Sequence, residues 1–106
     1  MTKEQLQIAL DNLRDFYSEF TKEYTDYQNG KNKKIKENAY SNIKITIRMT
    51  EKYLWQTEEI MEILCDGDTS DYGRAIILDE FRSPGYFDSD MSKLIQEVKV
   101  KLDKMP

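Results

Sequence analysis

The stretch Asn42-Ile43-Lys44-Ile45-Thr46-Ile47-Arg48-Met49-Thr50 decides the fold class, because it satisfies two periodicities at once. Ile43, Ile45, Ile47 and Met49 alternate with Lys44, Thr46, Arg48 and Thr50, the two-residue period of a half-buried strand rich in β-branched side chains. Over a wider window, Ala39, Ile43, Ile47, Leu54, Met61 and Leu64, with Thr50 and Thr57 on the same stripe, follow an amphipathic helix from about residue 32 to 65. Partnership favours the helix. A lone strand leaves its backbone groups unpaired, and the other β-like run, Ala75-Ile76-Ile77-Leu78, is short. An α+β fold with a strand near 42–50 is the alternative.

Upstream, Leu6, Leu10, Leu13, Tyr17, Phe20, Tyr24 and Tyr27 recur at spacings of four and three, which predicts a helix whose seam packs these side chains. Thr2 with Gln5 reads as a capping box, and Asn29-Gly30 as a left-handed stop, so this helix is roughly 39 Å long. Downstream, the second helix stops at Asp66-Gly67, and Asp68 or Thr69 caps a short third helix over about 70–82 that Pro84-Gly85 ends. Asp88 or Ser89 caps a last helix with Met91, Leu94, Ile95, Val98, Leu102 and Met105 on one face.

The expected fold is all-α: a single helical domain over residues 1–106, with a long antiparallel hairpin and two shorter helices packed on it. A tight turn at Asn29-Gly30 puts Glu23 beside Lys36 and lets the first helix cover the second only to about Gln56. The overhang holds Ile60, Met61, Ile63 and Leu64. It must be covered by the shorter helices, be covered by a second chain in a homodimer, or be removed by a break.

Composition closes several functional classes. The chain has no histidine, which removes the usual neutral-pH general base, the imidazole metal ligand and every Ser-His or Cys-His nucleophile. Its single cysteine, Cys65, forms neither an internal disulfide nor a cysteine-based zinc site, and reads as a small apolar residue near a helix end in a reducing cytosol. The first thirty residues carry three basic and six acidic side chains and no apolar run, so neither a signal peptide nor a membrane span is expected, and the protein is expected to be cytoplasmic.

Asp66, Asp68 and Asp71 look like the start of a calcium loop, but that register puts Asp71 where glycine is needed and Ile77 where a bidentate glutamate is needed. Helix capping explains them better. Arg82 pairing with Asp79 at i+3 accounts for the densest charged cluster. No glycine-rich phosphate loop and no metal-ligand spacing is present in the sequence, so no enzymatic activity, cofactor or metal is expected.

Charge is unevenly distributed: residues 1–30, 31–52, 53–90 and 91–106 carry −3, +5, −8 and +2. The basic part contains Lys33, Lys34 and an i+4 row of Lys36, Tyr40, Lys44, Arg48 and Lys52. The acidic row on the first helix, Asp11, Asp15 and Glu19, faces largely away from the seam, which leaves Arg48 and Lys52 available to a partner. Tyr86 and Phe87, after the Pro-Gly turn, complete the expected partner-binding set.

Lys, Ile, Asn and Tyr, with AT-rich codons, number 34, against 13 for Ala, Gly, Pro and Arg, which suggests an AT-rich bacterium or its phage. The function expected from these features is a small non-enzymatic interaction protein, bacterial or encoded by a phage or mobile element, that inhibits or regulates a protein partner. The alternative is a nucleic-acid-binding accessory protein using Lys33, Lys34, Lys44, Arg48 and Lys52. An acidic mimic of nucleic acid built on residues 53–90 is a third, sparser reading.

Overall fold

The computed structural model describes residues 1–68 and 70–106; Thr69, one of the two expected caps of the third helix, lies outside them. Among the described residues five helices follow in order: α1 Lys3–Asn29, α2 Lys33–Gln56, α3 Glu58–Leu64, α4 Asp71–Phe81 and α5 Pro84–Asp103. Among the described residues there is no strand. Across 42–50 the helical period decides what is buried. Ile43, Thr46, Ile47 and Thr50 face inward, while Ile45 and Met49 stay more than half exposed. The inward threonines are tolerated because their hydroxyls are satisfied: Thr50 Oγ1 donates to the Thr46 carbonyl and Thr46 Oγ1 to Glu23 Oε2, both at 2.8 Å.

α1 begins at the expected capping box, with the Gln5 amide donating to Thr2 Oγ1 at 3.1 Å and the Thr2 amide to Gln5 Oε1 at 2.9 Å. Its end differs from the expectation. Gly30 has φ −58° and ψ 129°, an extended conformation and not a left-handed one. Glycine is used there for space: a Cβ would lie 3.2 Å from the Asp26 carbonyl and 2.7 Å from Lys36 Cγ. Lys36 thus folds over the turn, and the expected Glu23–Lys36 pair gives way to Glu23 with Thr46. Asn32 caps α2 by accepting from the Ile35 amide at 2.9 Å, so the connection is longer than a two-residue turn. Side chains on both antiparallel helices also slant toward their own N-termini, which shifts the meeting pairs further along α2.

The long second helix is broken at Thr57, where φ is −127° and ψ 80°. Both Thr57 donors are satisfied at the break, since its amide reaches the Leu54 carbonyl at 3.1 Å and its hydroxyl the Tyr53 carbonyl at 2.9 Å. It falls where α1 runs out, with the Met1 ammonium paired to Glu59. Beyond the bend, Ile60 and Met61 are fully buried, Ile63 and Leu64 partly so, and α3 packs against α5. The overhang is therefore covered within the chain.

α3 ends in a Schellman motif: the Gly67 amide donates to the Glu62 carbonyl at 3.0 Å and the Asp66 amide to the Ile63 carbonyl at 3.2 Å. Both residues are left-handed, Asp66 at φ 52° and Gly67 at φ 85°. Ser70 then caps α4 through the Gly73 amide, while Asp68 braces Ser70 by accepting from its hydroxyl at 2.6 Å. The Ser70 hydrogen bonds hold the Asp68 carboxyl below its ordinary pKa. A Cβ at Gly73 would sit 2.5 Å from that carboxylate, so a larger residue there would displace the Asp68 side chain from Ser70.

α5 starts earlier than Asp88 or Ser89. Pro84 is its first residue and Ser83 its cap position, a placement where the missing proline N–H is no loss. The extra turn carries Phe87 into the core, fully buried, with its ring centroid 4.6 Å from those of Phe20 and Phe81. Asp88, inside the helix, accepts from the Tyr17 hydroxyl at 2.7 Å, and Ser92 donates to the same oxygen at 2.8 Å. α1 is thereby held between α2 on one side and α5 on the other.

Two outcomes check this description by urea denaturation. Asp66→Gly is expected to stabilise the protein by roughly 1 kcal/mol, by removing the left-handed strain of a residue with a Cβ. Phe87→Ala is expected to cost about 3–5 kcal/mol, the penalty of emptying a buried aromatic site, where an exposed side chain would cost little.

Candidate interaction surface

The flank of α2 that faces α4 gathers cations and aromatics in one line. Lys44 and Arg48 line a groove of about 420 Å³ together with Ile47, Glu51 and Arg82. Arg82 does not pair with Asp79 as expected; its Nε donates to Glu51 Oε1 at 3.0 Å and ties the end of α4 to α2. One turn further along α2, Trp55 is half exposed, with the Arg74 guanidinium 5.5 Å from its ring centroid. Arg74 is itself mostly covered and paired to Glu58. The Trp–Arg stack is thus held from α3 as well as from α4. Tyr72 and Ile76, four residues apart on α4, are both exposed.

The residues singled out from sequence are only partly brought together. Arg48 and Lys52 are exposed and make no ion pair among the described residues, but Arg48 lines the groove and Lys52 does not. Tyr86 is exposed on the first turn of α5, whereas its neighbour Phe87 is core and leaves the partner-binding set. Of the nucleic-acid candidates, Lys33 lies at the hairpin turn, 3.8 Å from Glu37, and Lys44 sits with its Nζ 4.6 Å over the Tyr40 ring. Lys34 is exposed and lines no cavity with them. Tyr17 and Tyr24 pack partly against the core as expected, but Tyr27 is exposed.

Trp55, Arg74, Tyr72 and Ile76 lie outside the partner-binding set expected from the sequence. One sign was present: the only tryptophan lies off the stripe of Ile43, Ile47 and Leu54, so a helix through it turns the indole away from the core.

Burial shifts three titratable groups, Cys65, Asp90 and Glu23, toward their neutral forms. Burial raises the Cys65 thiol above its usual range, against the opposing charge of Arg74, so the thiolate is disfavoured. Burial, with Glu80 adding and Lys93 opposing, also raises Asp90, which lines a cavity of about 150 Å³ with Cys65 between α3, α4 and α5. No group of three or more Cys, Asp or Glu among the described residues could hold a metal ion, and no helix is long and apolar enough to cross a membrane. No family model matches the chain, and neither a curated protein nor a solved structure matches it.

Glu23 supplies a measurable pH dependence. Burial raises its pKa, the Thr46 hydroxyl opposes the shift, Glu19 adds to it and Lys22 opposes it, with the balance upward. The folded chain therefore holds the Glu23 proton more tightly than the unfolded chain. Its contribution to stability is complete below the ordinary carboxylate pKa and is lost as pH rises through the raised one. Glu23→Gln keeps an oxygen for Thr46 and stays neutral, so it is expected to be more stable than the parent at neutral pH. Urea titrations repeated down to about pH 4 are expected to show that advantage disappearing.

Proposed function

We propose that the chain is a small non-enzymatic interaction protein that binds a protein partner along the α2–α4 flank and acts as its inhibitor or regulator. The observation that carries this reading is Trp55, half exposed and stacked by an arginine that Glu58 holds in place. Tryptophan, tyrosine and arginine dominate the energetic centres of protein interfaces, and here the pair is ordered before any partner arrives. Arg48 and Lys52 on the same helix are exposed cations with no ion pair among the described residues, while Arg74 and Arg82 are matched by Glu58 and Glu51, and the two free cations suit an acidic partner surface and speed encounter. Tyr72, Ile76 and Tyr86 supply further exposed apolar contact area.

The absence of histidine from the sequence and the disfavoured Cys65 thiolate support a non-catalytic role. An AT-rich composition supports an origin in a phage, mobile element or AT-rich bacterium.

The test is affinity capture with three immobilised proteins: the parent, Trp55→Ala, and the double variant Arg48→Glu, Lys52→Glu, with folding checked by circular dichroism. A captured protein is expected to bind the parent at least about 30-fold more tightly than Trp55→Ala, the loss typical of an interface hot spot. Equal capture by the parent and both variants would reject the flank as the binding surface.

A further inference from the structure

The hairpin turn presents a second surface with different chemistry. Tyr27, in the last turns of α1, and Tyr40, in the second turn of α2, have ring centroids 5.7 Å apart and planes inclined by 39°. Their exposures are 37% and 39%, so each ring is in part open to solvent beside its neighbours Tyr24 and Lys44. The rings are not loose. Phe20, buried, lies 5.3 Å from Tyr24, and Tyr24 lies 6.5 Å from Tyr27 with planes within 11°. The aromatic ladder is therefore anchored in the core at one end and open to water at the other.

Lysines surround the open end. Lys31, Lys33 and Lys36 line one open cavity of about 940 Å³ with the two tyrosines, and Lys44 places its ammonium 4.6 Å from the Tyr40 ring centroid. Glu37 is the only acid in the lining, and it lies 3.8 Å from Lys33. Lys31, Lys36 and Lys44 are left around two aromatic faces. The first turn of α2 also contains no acidic residue, so its lysines add to the positive end of the helix dipole. Cations in that position repel the dipole, and a bound anion relieves the repulsion.

The occupant must match both features. An acidic peptide would neutralise the lysines and leave the π faces unmatched, and a duplex would offer phosphates with its bases already stacked and paired. A single strand offers free base faces and phosphates at once. We propose that the hairpin turn binds single-stranded nucleic acid, with a base stacked on the Tyr27–Tyr40 pair and neighbouring phosphates on Lys31, Lys36 and Lys44. The acidic stretch 53–90 repels the rest of a long strand, so the contact is short and salt-sensitive. The surface is separate from Trp55 and Arg74, and its failure would leave the protein-partner reading standing.

The experiment is fluorescence anisotropy with a labelled 12-nucleotide oligothymidylate and with a duplex of the same length, across a salt series. Expected are binding of the single strand at low salt and a log–log salt slope of about −2, as for three phosphates on a single strand. Tyr40→Ala is expected to weaken binding at least about fivefold, Tyr40→Phe to restore it, and Lys36→Glu to flatten the slope. Trp55→Ala is expected to leave binding unchanged. Three results would each overturn the proposal: no single-strand binding at low salt, equal affinity for the duplex with no loss in Tyr40→Ala, or displacement by polyglutamate as efficient as by unlabelled oligonucleotide. The last would assign the turn to an acidic protein segment.

Discussion

Phe87 of α5 is enclosed by Phe20 of α1 and Phe81 of α4, each 4.6 Å away between ring centroids. Those three rings are where the first, fourth and fifth helices meet. Each fully buried aromatic contributes about 1.5–3 kcal/mol by leaving water, and each ring pair roughly 0.5–1.5 more. The charged links from α4 to the rest, Arg74 to Glu58 and Arg82 to Glu51, each have one strongly exposed partner and are worth at most about 1 kcal/mol. The aromatic cluster therefore sets where α4 lies. The position of Arg74 over Trp55, and with it the shape of the α2–α4 flank, follows from a packing event on another part of the helix.

Length sets a second constraint. A straight helix through residue 65 would carry Ile60 and Met61 past the end of α1 and leave them in water. The bend at Thr57 turns them under α5, and a threonine that bonds its own preceding turn makes the interruption inexpensive. The two i+4 charge rows form no ion pair between α1 and α2 among the described residues, in keeping with an acidic row that faces away from the seam. Glu23 is the member that reaches the seam, and it meets a hydroxyl rather than a cation.

Features written in local periodicity were legible in the sequence. The seam of α1, its Thr2–Gln5 box and the inward face of Ile43 and Ile47 all follow from spacing alone, and the alternation of 42–50 lost because no partner strand exists among the described residues. Features that depend on which of two equivalent local signals prevails were not. Ser83-Pro84-Gly85 reads equally as the end of one helix or the first turn of the next, and that choice moved Phe87 from surface to core. Long-range choices were also hidden: Arg82 had Asp79 nearby in sequence and took Glu51, and Trp55 acquired meaning only when Arg74 arrived from α4. On the candidate surface, sequence supplied Lys44, Arg48 and Tyr86, while the tertiary fold supplied the groove and the stacked indole.

The sandwiching of α1 between α2 and α5 also bears on how the chain is made. Tyr17 is tied to Asp88 and Ser92, 71 and 75 positions later, and Phe20 waits for Phe87. On the ribosome α2 emerges directly behind α1 and covers one side of its apolar stripe. The other side stays wet until residues 84–103 are released. A nascent chain stalled before Pro84 is thus a hairpin with an open hydrophobic flank, the kind of species that chaperones retain and proteases clear. The interior of this domain first closes only when α5 joins α1.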